Sequence, residues 1–412
     1  MDISFVFLIA GLIILIGFLG GYFFDRTRIP DVLLLLGIGI LLGPVFGIIA
    51  PSRLTHFTEV FGSLALVVIL FEGGLDMDIH KLIQEFGTAS LLVVVSFGFS
   101  MFGIAGYLHF VLGWEWILSL LLGSILGCTS AAIVIPLLAR MGISGEVRTI
   151  LSIESALSDV LAIVCTVSLI EYTTLGRIGV KAPVQALANS FSTAIILGIV
   201  VGLGWLKVLD SYGDRKYSYM FTLAAVMITF GAVTFLGGSG AVAVLIFGII
   251  LGNAHSFQKL LKIKRDELVH GTIRFFHDEM SFFIRTFFFV YMGMVTTFRD
   301  FDLNFLAICL VLLLVIVVVR SASVGITVAF YHEKRRDSAI MLAMLPRGLA
   351  SAVLATLPAA SNVPRSAVLI EITFALIILT NLVMTLGVFL ADRVLRSEAE
   401  EHLDPGDGAP GG

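Results

Sequence analysis

Long apolar runs recur from one end of this chain to the other, and any fold must account for the few ionisable residues inside them. "ISFVFLIAGLIILIGFLGGYFF" at 3–24 and "LNFLAICLVLLLVIVVVRSASVGITVAFY" at 303–331 are two examples. A run of about 18 or more apolar residues crosses a bilayer core of about 30 Å as a helix. Such runs predict an all-α polytopic membrane protein, because a helix satisfies its own backbone hydrogen bonds in lipid. Composition agrees: 58% of the 412 residues are hydrophobic, 14% are charged and the mean hydropathy is +1.04. Soluble domains have about a quarter charged residues. The alternating pattern of a membrane barrel is absent.

About thirteen transmembrane spans are expected, near 3–24, 32–50, 57–75, 86–111, 116–139, 149–171, 187–209, 218–236, 240–254, 278–298, 304–331, 339–358 and 366–391. The first has no basic flank and continues as a full span, so it does not resemble a cleavable signal. With the N-terminus outside, eighteen Lys and Arg fall in inner segments and five in outer ones, as the positive-inside rule requires for an odd number of spans. The C-terminus is then cytoplasmic. Arg285, Arg320 and Arg347 fall within the spans. The basic, amphipathic stretch 256–277 is expected to be an interfacial helix on the inner leaflet, against membrane lipids. The tail 397–412, "SEAEEHLDPGDGAPGG", is acidic and then Gly/Pro-rich, and is expected to be disordered. No basic patch suggests nucleic acid, and no Walker A or strand-linked GxGxxG pattern suggests a nucleotide. No cofactor is expected. Cys128, Cys165 and Cys309 lie in apolar runs and read as small core residues.

A charge at the bilayer centre costs several kcal/mol, so it must face a cavity or a partner. Four stretches carry such groups. "LFEGGLD" at 70–76 puts Glu72 near the end of a span, either at the interface or at the mouth of an ion path. "LGCTSAAIVIP" at 126–136 clusters small and hydroxylic residues, with Pro136 following. It can pack tightly against neighbours, or break and offer carbonyls, with Thr129 and Ser130 adding oxygens for a cation. "SIESALSDVLAIV" at 152–164 carries Glu154 and Asp159. At about 100° per residue they point about 140° apart, so they are no shared-proton dyad. Ser155 shares the face of Asp159, which suits a hard cation wanting oxygen ligands, and Ser158 lies beneath Glu154. The fourth group is basic. Arg320 sits deep in an apolar span, and Arg347 sits in "LPRGLASAVLATLP", a second interrupted span. One buried arginine could pair with one buried glutamate. Two interrupted spans in corresponding positions point to an inverted-repeat transporter.

"LFEGGLD", "ESALSDVLAIV", "FFFVYMGM" at 287–294, "RSASVGIT" at 320–327 and "LPRGLASAVLA" at 345–355 together resemble the cation/proton antiporter superfamily. The resemblance is closest to the NhaP-type prokaryotic sodium/proton antiporters and the eukaryotic sodium/proton exchangers. It implies two broken crossing helices, a core bundle over about 86–171 and 304–391, and a scaffold from the rest of a transmembrane domain at 1–396. It implies a homodimer in the cell membrane. Asp159 takes the place of the family's ion-binding aspartate. Glu154 and Arg320 take the places of its buried structural pair. Thr129, Ser155, Ser130 and Glu72 would supply further oxygens to sodium or potassium at Asp159, and Arg347 and Arg285 are candidate electrostatic modulators. The chain departs from the usual "ESxxND" at Ser158, and from the usual "TDP" at Thr129-Ser130-Ala131. One titrating aspartate implies one proton exchanged per cation by alternating access, hence electroneutral sodium/proton antiport and a role in pH homeostasis. The lost acid at the break leaves potassium/proton exchange as the alternative. A cation channel would need a filter or pore ring, and no TVGYG-like loop occurs. An enzyme is not expected: the eight histidines read as lying in or near loops, and none forms an HExxH pair.

Overall fold

The computed structural model describes residues 3–27, 31–47, 58–75, 77–139, 143–175, 181–212, 218–263, 271–295, 302–331 and 337–403. These residues form sixteen α-helices and contain no strand. The first four are α1 (Ile3–Thr27), α2 (Asp31–Ile40), α3 (Thr58–Leu75) and α4 (Ile79–Gly106). Then come α5 (Trp116–Ile125), α6 (Ala131–Ala139), α7 (Gly145–Leu175), α8 (Lys181–Tyr212), α9 (Ser218–Phe235) and α10 (Gly240–Gly252). The last six are α11 (Ala254–Leu261), α12 (Gly271–Val295), α13 (Leu303–Phe330), α14 (Ser338–Ala343), α15 (Leu349–Ala360) and α16 (Ala367–Leu403). Short π-helical turns, Leu41–Val45 and Tyr107–Val111, extend α2 and α4.

Helix occupies each of the thirteen stretches read as spans. Among the described residues, six helical segments are long and apolar enough by themselves to cross a membrane: Ile83–Val111, Gly145–Ile170, Ala188–Tyr212, Ser218–Phe235, Leu303–Phe330 and Ala367–Ala391. Shorter apolar helices accompany them, and two stretches read as single spans are broken in the middle. The 116–139 stretch divides into α5 and α6, and the 339–358 stretch into α14 and α15.

The inner stretch 256–277 is not one helix. α11 ends at Lys262, which turns into the left-handed region (φ 53°), residues 264–270 lie outside the described residues, and α12 begins at Gly271. A left-handed C-cap ends a helix by rotating the next amide out of the ladder. The tail reading also needs correction at its near end, because α16 runs to Leu403. Ser397 to Leu403 contains no glycine or proline, and the breakers begin only at Pro405. Residues 404–412 lie outside the described residues.

Lipid-exposed and buried faces alternate with helical period. On α13, Leu306, Leu310, Leu314 and Val318 are exposed, while Cys309, Leu312, Ile316, Arg320, Ser323 and Thr327 are buried. Spacings of three and four put each set on its own stripe, and Arg320 falls on the inward one. Glycine contacts hold one group of helices together. A Cβ on Gly39 of α2 would strike the Val290 carbonyl of α12, and one on Gly252 of α10 would strike the Leu75 carbonyl of α3. In lipid, helices associate by this kind of close backbone packing. Gly39→Leu is therefore expected to lower stability by about 1–3 kcal/mol through overpacking. Thermal unfolding of the detergent-solubilised protein, followed by size exclusion, checks it; an unchanged midpoint would mean that α2 and α12 are not so tightly apposed.

α2, α3, α8, α10 and α12 make one set of contacts, with α12 on α2 and α10 on both α3 and α8. α4, α5, α7, α13 and α16 make another, with α4 central and α14 and α15 against α16. α15 also packs on α3, so the sets meet there.

Candidate functional site

Two interruptions of helix meet in the interior. Leu126 to Ser130 separate α5 from α6, and Met344 to Gly348 separate α14 from α15. The Ser130 N–H donates to the Pro346 carbonyl at 2.9 Å, so the breaks bond directly. A Cβ on Gly348 would strike the Ser130 side chain, and glycine permits that approach.

A broken helix frees backbone groups that must find new partners away from water. The long neighbouring helices supply them. At the first break the Thr129 N–H donates to the Ser158 hydroxyl of α7 at 3.1 Å, and Ser158 donates to the Ser155 carbonyl at 3.0 Å. At the second the Arg347 N–H donates to the Thr380 hydroxyl of α16 at 3.1 Å, and the Asn381 side-chain amide donates to the Arg347 carbonyl at 2.8 Å. α7 and α16 thus play matching parts. Asn381 and Thr380 are fully buried. The sequence reading passed over them, although an asparagine within "LIILTNLVMTL" is the kind of intramembrane polar residue that marks such a support.

The structure brings Asp159, Thr129, Ser130 and Ser155 close around the first break, all at most 5% exposed. The Thr129 hydroxyl donates to Ser155 Oγ at 3.2 Å and lies 3.3 Å from Ser158 Oγ. Ser158 therefore belongs to this cluster, not to the Glu154 face where helical phase alone placed it. The Asp159 carboxylate lies beside the Ala131 backbone N–H, the first residue of α6, and beside the Cys128 thiol. Its Oδ1 is buried with no hydrogen-bond partner among the described residues. Asp159 thus sits at the N-terminus of a half-helix, where the helix dipole favours negative charge. Cys128 is not the plain core residue its surroundings suggested. It is a neighbour of Asp159, and its sulfur also lies 3.4 Å from Ser351 Oγ of α15.

Glu154 and Arg320 meet as a bidentate pair, 1% and 2% exposed. Arg320 Nη1 contacts Glu154 Oε1, and Nη2 donates to Oε2 at 3.0 Å. Arg320 Nε donates to the Met341 carbonyl of α14 at 2.8 Å, so one guanidinium joins α7, α13 and α14. Arg347 is 2% exposed and lies within electrostatic reach of Asp159, Glu154 and Arg320. Its Nη1 donates to the Leu345 carbonyl at 3.3 Å.

Two candidates stand elsewhere. Glu72 is half-buried on α3 and is not among the groups acting on the Asp159 carboxylate, nor is Arg285, half-buried on α12. His277, placed near a loop by the sequence reading, is fully buried within α12, with its ring 4.8 Å from that of Phe71.

A cavity of about 400 Å³ opens between α3, α7, α10 and α15. Ile163 and Val167 line it, one and two turns along α7 from Asp159, with hydroxyls from Ser63, Ser190 and Ser239.

Comparison with known proteins bears on this geometry. A family described as "Sodium/hydrogen exchanger, transmembrane" matches residues 11–391. The "Probable Na(+)/H(+) antiporter 2" of Methanocaldococcus jannaschii is 27% identical over 346 residues, covering 81% of this chain and 79% of that protein. The "K(+)/H(+) antiporter NhaP" of Alkalimonas amylolytica is 27% identical over 429 residues, covering 99% of this chain and 70% of that protein. In fold, the chain matches the solved structure of the sodium proton antiporter MjNhaP1 from Methanocaldococcus jannaschii at pH 8. The TM-score is 0.78 at 22% identity, over 95% of this chain and 99% of that one. With a family match over nearly all its length and helices fit to cross a bilayer many times, this multi-pass membrane protein belongs to the sodium/hydrogen exchanger family.

Proposed function

We propose that the protein is a sodium/proton antiporter in which Asp159 holds either a proton or a partly dehydrated sodium ion, never both. The observation that carries this reading is the buried, unpartnered Asp159 Oδ1 beside a cluster of hydroxyls where two broken helices meet. Withdrawal from water makes a bare carboxylate costly, so the site takes up one positive species or the other. Thr129, Ser155 and Ser130 supply neighbouring oxygens. Glu72 on α3 is a further candidate oxygen. Competition for one carboxylate gives obligatory exchange, one proton per cation and no net charge moved.

The two helix sets are the core and scaffold of an alternating-access transporter, related as inverted repeats through α4–α7 and α13–α16. The cavity beside Ile163 lies where the sets meet, and supports a route from one face of the membrane toward Asp159. Thirteen crossings, with the N-terminus outside and the C-terminus cytoplasmic, follow the Lys/Arg bias, and the protein works as a homodimer in the cell membrane. Arg347 keeps the electrostatics of the crossing balanced.

Potassium is the second reading, favoured by the absence of an acid at Ser130 and by a relative of equal identity named for potassium. Proteoliposomes with a transmembrane pH gradient and a pH-sensitive dye test both. Adding sodium, lithium or potassium singly should dissipate the gradient with the transported ion alone. If no monovalent cation does so, exchange is excluded.

A further inference from the structure

Cys128 stands 1% exposed at the first break, and its sulfur faces the Ser351 hydroxyl, the Ile125 carbonyl at 3.7 Å and the Asp159 carboxylate. The second observation is Asp159 itself, 5% exposed with an unpartnered Oδ1. A buried carboxylate oxygen with no partner among the described residues and a thiol therefore lie side by side at the break. Cys128 shares an apolar cluster with Cys165 and Cys309, and its sulfur is turned to Ser351 at the break.

A cation seated on Oδ1 meets hard oxygens from the carboxylate and hydroxyls on one side and a soft, polarisable sulfur on the other. Small hard cations lose a tightly held hydration shell on entry and need oxygen ligands to replace it; a neutral thiol replaces it poorly. Larger, more weakly hydrated cations lose less.

We propose that Cys128 is a specificity-determining residue of the cation site, biasing it toward larger, softer monovalent cations and away from sodium and lithium. The proposal rests on Asp159 as the exchange site. It predicts that oxygen in place of sulfur shifts the balance toward the harder ion, whichever ion the native protein prefers.

The test uses the full-length protein in proteoliposomes, with KM measured for lithium, sodium, potassium and rubidium at one pH. Cys128→Ser should lower the ratio of KM for sodium to KM for potassium by about tenfold, the scale of one changed contact in a recognition site. Cys128→Ala, which admits water in place of sulfur, should lower it by about threefold, and it carries the test if the serine variant fails to assemble. A ratio of KM values is insensitive to the amount of folded protein, so a merely structural role would not move it. An unchanged or raised ratio overturns the proposal. The two failures are distinguishable: if Asp159→Asn still transports, the exchange site lies elsewhere, whereas a silent Asp159→Asn with an unmoved Cys128 ratio rejects only the role of Cys128.

Discussion

Asp159→Asn reduces cation-driven proton exchange in proteoliposomes to that of protein-free vesicles, while the protein still assembles and elutes as the wild type does. Asparagine keeps the size of the side chain, and its carbonyl oxygen can still accept from the Ala131 N–H that lies beside the carboxylate. The N-terminus of the half-helix keeps a polar group of the same size beside it, which is why folding survives. What is lost is the negative charge and the place for a proton. Without them the site can neither bind a cation against a proton nor return empty with one. Strong residual antiport in the reconstituted variant would contradict the assignment. A variant that fails to assemble would instead make Asp159 a structural residue.

The opposite pattern is expected five residues earlier. Glu154→Gln lowers stability by about 3–5 kcal/mol, the typical cost of removing one partner from a buried ion pair. It removes the whole negative charge and sets an NH2 donor in place of one acceptor oxygen against the Arg320 guanidinium, where both residues are almost fully buried. The result should be a marked fall in the yield of folded protein and in its unfolding midpoint, with the KM ratio between cations little changed. Glu154→Met/Arg320→Met should recover part of that stability, because replacing both charges with apolar groups removes the desolvation cost as well as the attraction. Recovery stays partial because the bond from Arg320 Nε to the Met341 carbonyl is lost too. Normal stability of Glu154→Gln, with altered ion affinity, would move Glu154 from the frame of the site into the ion path.

The separation of these two carboxylates was legible from helical phase, and so were the two interrupted spans, because a proline or a run of small residues in an apolar stretch is visible without coordinates. That a buried arginine would meet a buried glutamate was legible from the cost of a lone buried charge; that it is Arg320 and not Arg347 came from the family resemblance, and the structure pairs Arg320 with Glu154. What the sequence concealed depended on tertiary approach. Ser158, one turn from Glu154, reads as its neighbour until α6 is placed, and then it bonds the Thr129 amide. Cys128 looks like any small residue in an apolar run, and only the meeting of α7 and α15 at the break puts it beside Asp159 and Ser351. The break at Lys262 left no sign, since lysine is a good helix former and its left-handed turn is set by what surrounds it.

The central claim is that one proton and one cation compete for one carboxylate. The most direct measurement is the apparent KM for the transported cation in proteoliposomes across a series of pH values. Simple competition at a single group raises KM tenfold for each unit that pH falls along the acid limb, because each added cation must displace one proton. A slope of one on the logarithmic plot, flattening at alkaline pH, is the predicted result. A KM independent of pH, or a slope near two, would contradict the account.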